Sequence, residues 1–180
     1  MRAAPTDDLG RAVEVVNSWD TLDPEPEQIP DDEVLGRFLR WIGRPDLRDA
    51  IHPGHVRRFH EARDELRVAF DAPTVEVALT SLDRLLADRP ARLCVGPDTT
   101  GPVTFESAAG DPIDTLAIAC SVALAVEIRS FGLARLGRCE GQPCQCVYVD
   151  RSKNRRRRYC SDQCNDRVAQ AAFRQRRSKA

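Results

Sequence analysis

Several absences narrow the class of this protein. Met1 to Gly10 carries no cationic lead followed by an apolar run. The longest apolar stretch, Thr115 to Val126, falls short of the about 20 residues that a membrane-spanning helix needs. There is no internal repeat, and no low-complexity tract beyond Arg155 to Arg158. A glycine-rich phosphate loop is missing. His52, His55 and His60 lie close together, with Asp64 one helical turn from His60, but no nucleophile accompanies them. They read as exposed histidines around a Pro53-Gly54 turn and on a helix. The expectation is a cytoplasmic protein with no membrane partner and no catalytic residues. Aromatic residues are scarce, 6% of 180, but 42% hydrophobic content suffices for one compact domain with a small appendage. A chain of this length buries roughly 70% of the surface that its unfolded form exposes, so disulfides are not needed to hold it.

The charges that are present are unevenly placed. In total, 27 Lys+Arg face 28 Asp+Glu, a net charge of -1. The residues before Arg135 hold 14 Arg and 24 acids, a balance of -10, whereas the last 46 residues hold 13 Lys+Arg and 4 acids, a balance of +9. A polyanion would be drawn to the C-terminal segment and repelled by the rest, which makes nucleic acid the first candidate partner.

Periodicity gives the organisation. Leu9, Ala12, Val13 and Val16 recur at helical spacing, predicting a helix over Asp8 to Trp19. Asp20 to Pro30 holds three prolines and four acids and reads as an exposed linker. After Asp31 and Asp32, which can cap a first turn, Val34, Leu35, Phe38, Leu39, Trp41 and Ile42 predict a second helix. Apolar stripes predict two more over His55 to Phe70 and Thr74 to Ala87, separated by Asp71, Ala72 and Pro73. Arg92 to Val95 and Pro102 to Ser107 flank the turn-rich Gly96 to Gly101, a β-hairpin signature. Asp111 with Pro112 starts a long helix, expected to run to Leu136 and to form the buried centre. Asn17 and Trp19, at the end of the first helix, are explained by packing and capping or by a pocket they would line. The predicted fold is mainly α (α+β): a helical domain with a short hairpin over 1–134, and a small C-terminal module over 135–180.

Seven cysteines need a reason. Cys94 and Cys120 read as ordinary buried thiols, but five crowd between Cys139 and Cys164. Cys139 and Cys144, with Cys160 and Cys164, form two close pairs fifteen residues apart, able to supply four thiolates to one structural Zn²⁺. Cys146 could stand in for Cys144, although a Cys-x-Cys pair closes a poorer loop around one metal. Val147 to Val149 and Arg156 to Tyr159, flanking the polar Asp150 to Asn154, predict a hairpin between the pairs. Ser161 can cap a final helix that places Cys164 in its first turn, where the helix dipole favours a thiolate. Together these describe a treble-clef-like module, in which a metal holds a short segment of low apolar content folded.

The same segment carries the basic residues. Arg151, Lys153, Arg155, Arg156, Arg157 and Arg158 lead into the second pair, and Arg167, Arg174 and Arg177 fall near one face of the final helix. They either solvate the module and offset the thiolates or contact phosphates, and their number favours a phosphate-contacting surface. Tyr148 and Tyr159 lie among them, placed to pack over the metal or to stack on bases. DNA is the expected partner. The same residues would also suit RNA or a protein-docking adaptor held by zinc, and one small module would gain specificity as a homodimer.

From Arg138 to Arg177 the sequence resembles the CGNR zinc finger family: Arg138-Cys139, Cys144, Val147-Tyr148-Val149 ending in Asp150, Ser152, Asn154, then Arg157-Arg158-Tyr159-Cys160-Ser161 and a basic tail. Cys164-Asn165-Asp166-Arg167 stands where the family reads Cys-Gly-Asn-Arg, and the final cysteine pair is one residue closer, so the resemblance implies the same ligation with an altered helix entry. Upstream, Ala12 to Trp19, Leu39-Arg40-Trp41-Ile42 and Ala62 to Phe70 resemble the ABATE domain that accompanies this finger. The resemblance implies a bacterial DNA-binding transcription regulator whose N-terminal domain senses an effector or dimerises.

Overall fold

A computed structural model describes residues 4–95 and 103–177. Helix α1 (Asp8–Val16) begins at Asp7, whose side chain accepts from the Gly10 N–H. Helix α2 (Asp32–Trp41) starts in the same way at Asp31, and α5 (Val75–Ala87) at Thr74. Each cap satisfies one of the donors that a helix start leaves free. Between α2 and α5 run the short α3 (Pro45–Arg48) and α4 (His55–Asp71). Strands β1 (Ala91–Val95) and β2 (Val103–Ser107) pair antiparallel. The turn expected over Gly96 to Gly101 lies outside the described residues. Cys94, expected to be buried, is half-exposed at this sheet.

Helix α6 (Pro112–Phe131) is long and apolar enough to cross a bilayer, because it extends the apolar run seen in the sequence at both ends. It is instead the centre of the fold, packed against α1, α4, α5 and β2. Ile113, Leu116, Leu124 and Ile128 on it are almost fully buried, each contributing about 1.5–3 kcal/mol. The helix does not reach Leu136 as the sequence suggested. It ends at Gly132, whose positive φ of 64° reverses the chain into a 3₁₀ turn and frees Leu136 for a strand.

The first helix is also shorter than expected, stopping at Asn17, and Trp19 lies in a bridge to Glu27. The linker is therefore ordered. Buried Arg63 reaches Glu27 at 2.8 Å, the His60 ring lies 2.8 Å from the Ile29 carbonyl, and Ile29 sits in the core. That contact occupies His60, and Arg63 lies over the Trp19 ring.

In the C-terminal segment, β3 (Leu136–Arg138) pairs antiparallel with β4 (Val147–Val149), and α7 (Asp162–Arg177) follows. The hairpin expected between Val147–Val149 and Arg156–Tyr159 does not form. Tyr148 lies opposite Gly137 instead, and a Cβ on Gly137 would sit 2.5 Å from the Tyr148 ring, so only glycine fits. Residues 150–157 form a loop closed by the buried Asp150, whose carboxylate accepts from the N–H groups of Ser152 and Arg157. Val147 and Val149 belong to the same core as α1, α4 and α6, so the basic segment and the acidic helices share one interior.

Candidate metal centre and nucleic-acid surface

Strand β3 delivers Cys139, and a tight turn brings the chain back so that the Cys139 N–H donates to the Cys146 carbonyl and the Cys144 N–H to the Gly141 carbonyl. Cys160 precedes α7, and Cys164 lies in its first turn with its N–H donating to the Ser161 hydroxyl at 3.3 Å. The sulphurs of Cys139, Cys144, Cys160 and Cys164 all lie within 4.8 Å of one another, and all four residues are buried. A zinc tetrahedron with bonds of about 2.3 Å has edges of roughly 3.8 Å. The Cys144–Cys160 and Cys160–Cys164 separations are 3.7 and 3.6 Å, so the sulphurs present fit one zinc ion. Zinc there would supply a structural cross-link, with all four positions filled by protein.

Cys146 stands outside this set. Its N–H lies 3.5 Å from the Cys144 sulphur and its carbonyl accepts from Cys139, contacts its backbone would make with any side chain, while its thiol hydrogen-bonds with Cys160 and Cys144. Burial raises the pKa of the Cys144 and Cys164 thiols above the ordinary thiol value. Hydrogen bonds with Cys146 first, and with Cys164 and Ser161, outweigh burial and draw Cys160 below it. Crowded sulphurs thus favour one thiolate, and a divalent ion is what makes four compatible.

The basic residues divide into two groups. Arg167 donates to the Gly141 carbonyl and approaches the Cys164 sulphur at 3.7 Å, bracing the turn around the metal. Arg157 donates to the carbonyls of Tyr159 and Cys160 and lies over the Tyr148 ring. Arg158 pairs with Glu140 and lies over Tyr159. Arg151 pairs with Asp7 of α1 at 2.6 Å, and Arg155, with a positive φ of 48°, lies over the Phe131 ring. Arg177 lies over the Phe173 ring on its own helix. Lys153, Arg156, Arg174 and Arg176 have no partner among the described residues. Buried Tyr148 donates its hydroxyl to the Arg157 carbonyl, and Tyr159 packs half-buried on the cysteines, so both serve the metal module.

Two surfaces result. An open groove of about 760 Å³ is lined by Arg151, Arg156, Arg157 and Arg158 together with Ser161 and Asn165 at the start of α7. Beyond Cys164, α7 projects with its last turns exposed, presenting Arg174, Arg176 and Arg177 beside Phe173. Sequence reasoning missed the residues that hold this module to the helices. Arg67 of α4 donates to the carbonyls of Gln145 and Val16, Thr21 donates to the Pro143 carbonyl, and Arg138 pairs with Asp71. No local pattern marks them, because each acts on a partner far along the chain.

No curated protein matches the sequence. The CGNR zinc finger model matches residues 135–177, the segment that holds the four sulphurs. The ABATE model, described as "Putative stress-induced transcription regulator", matches residues 10–128. That span is most of the helical core, and the chain therefore belongs to the ABATE family, with a CGNR zinc finger at its C-terminal side.

Proposed function

We propose that this protein is a cytoplasmic, non-enzymatic transcription regulator whose zinc finger binds duplex DNA through its phosphates. The observation that carries this reading is the set Lys153, Arg156, Arg174 and Arg176, without partners among the described residues, on one zinc-held module beside a groove lined by further arginines. Unsatisfied cations on a rigid surface suit a polyanion, and the acidic helices behind them keep the contact on one side. The projecting end of α7 is the element with the shape to enter a major groove. The buried Tyr148 favours duplex over single-stranded nucleic acid, because it is not free to stack on bases.

The test is selection of genomic fragments by the zinc-loaded full chain, followed by titration of a selected duplex at several salt concentrations. Binding should weaken steeply with salt, and Arg156→Ala or Arg174→Ala should each reduce the salt slope by about one. Salt-independent binding would overturn the proposal, as would a preference for single-stranded RNA.

A further inference from the structure

A cleft of about 560 Å³ lies on the side of the helical domain between the start of α1, the turn before α3, strand β2 and the outer face of α6. Its size falls within the range of small-molecule sites. The floor is apolar, made by Leu9, Phe105, Ala119, Val122, Ala123 and Val126, and Val126 is 61% exposed on the outer face of α6. The rim is charged but unbalanced. Arg11 and Arg44 are each occupied inside the cleft, by Asp8 at 2.6 Å and Asp46 at 2.7 Å. Asp7, Glu106 and Glu127 line it too, and their ion-pair partners come from outside, with Arg11 and Arg44 acting on Asp7 and Glu106 only at longer range. Arg151 of the finger holds Asp7, Arg92 of β1 holds Glu106, and Arg135 at the entry to β3 holds Glu127.

The last of these pairs is loose. Glu127 is largely buried, yet Arg135 meets it only at 3.4 Å, and the Arg135 Nε is buried without a hydrogen-bond partner while its guanidinium stacks on Phe131. A carboxylate set in an apolar wall with a poorly placed partner gains from a better cation. We infer that this cleft binds an amphipathic organic cation, with its apolar body on Val122 and Val126 and its positive centre between Glu127 and Asp7.

The site is tied to the finger by the same carboxylates. A cation that draws on Asp7 competes with Arg151, which lines the basic groove on the other side. Occupancy of the cleft therefore releases Arg151 toward a phosphate, and ligand and DNA favour each other. This coupling rests on the DNA-binding reading above, whereas binding of the cation does not.

The probe is tetraphenylphosphonium, with neutral triphenylphosphine oxide as its control, titrated calorimetrically into the zinc-loaded full chain. The phosphonium should saturate one site and the oxide bind at least about tenfold more weakly. Val126→Arg changes an exposed side chain, so the fold should persist, checked by thermal melting and zinc content, while phosphonium affinity falls at least about tenfold. Glu127→Gln should weaken it several-fold. Absence of saturable binding, equal binding of the two probes, or unchanged binding to Val126→Arg would each overturn the site. In a second arm, phosphonium should tighten binding of a selected duplex about threefold in the wild type and leave Asp7→Asn unaffected. Phosphonium binding with unaltered DNA affinity would overturn the coupling. Complete absence of DNA binding would sink the regulator reading and leave the calorimetry to decide the cleft.

Discussion

The side chain of Asn17 pairs with both backbone groups of Val147. Its Nδ2–H donates to the Val147 carbonyl at 2.9 Å, and the Val147 N–H donates to its Oδ1 at 2.7 Å. The end of α1 thereby supplies, with one amide, the pairing that a neighbouring strand would give the free edge of β4. Both partners are buried, so the two bonds are shielded from water.

Replacing Asn17 with Ala leaves a buried N–H and a buried carbonyl without partners, at about 1–3 kcal/mol for each. The expected loss of roughly 2–5 kcal/mol corresponds to a melting-point fall of about 5–15 °C for a chain of this size. Asn17→Asp should cost nearly as much, because a carboxylate accepts from Val147 but repels its carbonyl. Thermal melting of the zinc-loaded variants checks both, and an Asn17→Ala protein melting within a degree of wild type would refute the pairing.

One zinc ion per chain is expected by elemental analysis. Changing any of Cys139, Cys144, Cys160 or Cys164 to Ala should abolish it, since each sulphur is one corner of the cluster. Cys146→Ser should keep it, because Cys146 is not a corner of the cluster and a serine hydroxyl can still donate to Cys160. A Cys146→Ser protein that lost zinc while Cys144→Ser retained it would reverse the assignment.

Much of this was legible in the sequence, and what was not shares a cause. The helix starts at Asp31 and Asp111, the stripes of α2, α4 and α5, and the spacing of the four cysteines are local, fixed by residues within a few turns of one another. The partner of β4 was misread because Val147–Val149 and Arg156–Tyr159 are both strand-like, and what excludes their pairing is the fit of Gly137 against Tyr148, eleven residues upstream. The linker looked free because its anchors, Arg63 and His60, lie more than thirty residues away. The arginines looked alike in sequence and differ only by what each one meets.

Asp7 caps α1 and holds Arg151, so Asp7→Asn separates these roles. Asparagine caps as well as aspartate but leaves Arg151 without its carboxylate. The variant should bind DNA about two- to fivefold more tightly at low salt, with little change in melting temperature. Acid acts on the same link. Burial works against the Asp7 carboxylate, but Arg151, the Gly10 N–H and Arg11 outweigh it and hold its pKa below the ordinary 3.8. The contribution is therefore complete above about pH 4 and is lost as the pH falls through the lower folded value. Fluorescence anisotropy on a selected duplex reads the affinity, and unchanged affinity in Asp7→Asn would show that Arg151 takes no part in binding.

Arg156 and Arg157 are neighbours in sequence with opposite expected roles. Arg157 is spent on the module itself: its backbone N–H closes the loop onto Asp150, and its guanidinium holds the carbonyls of Tyr159 and Cys160 next to a metal ligand. Arg157→Ala should therefore loosen the turn that presents Cys160, lowering the melting temperature by several degrees and speeding zinc loss to a chelator. Arg156 lines the groove with no partner among the described residues. Arg156→Ala should leave melting and zinc retention unchanged while reducing the salt slope of DNA binding by about one. Because the two readouts are independent, the pair discriminates between a basic run that exists to balance thiolates and one that meets phosphate. If both variants altered zinc retention and neither altered the salt slope, the arginines would belong to the metal and the DNA surface would have to lie elsewhere.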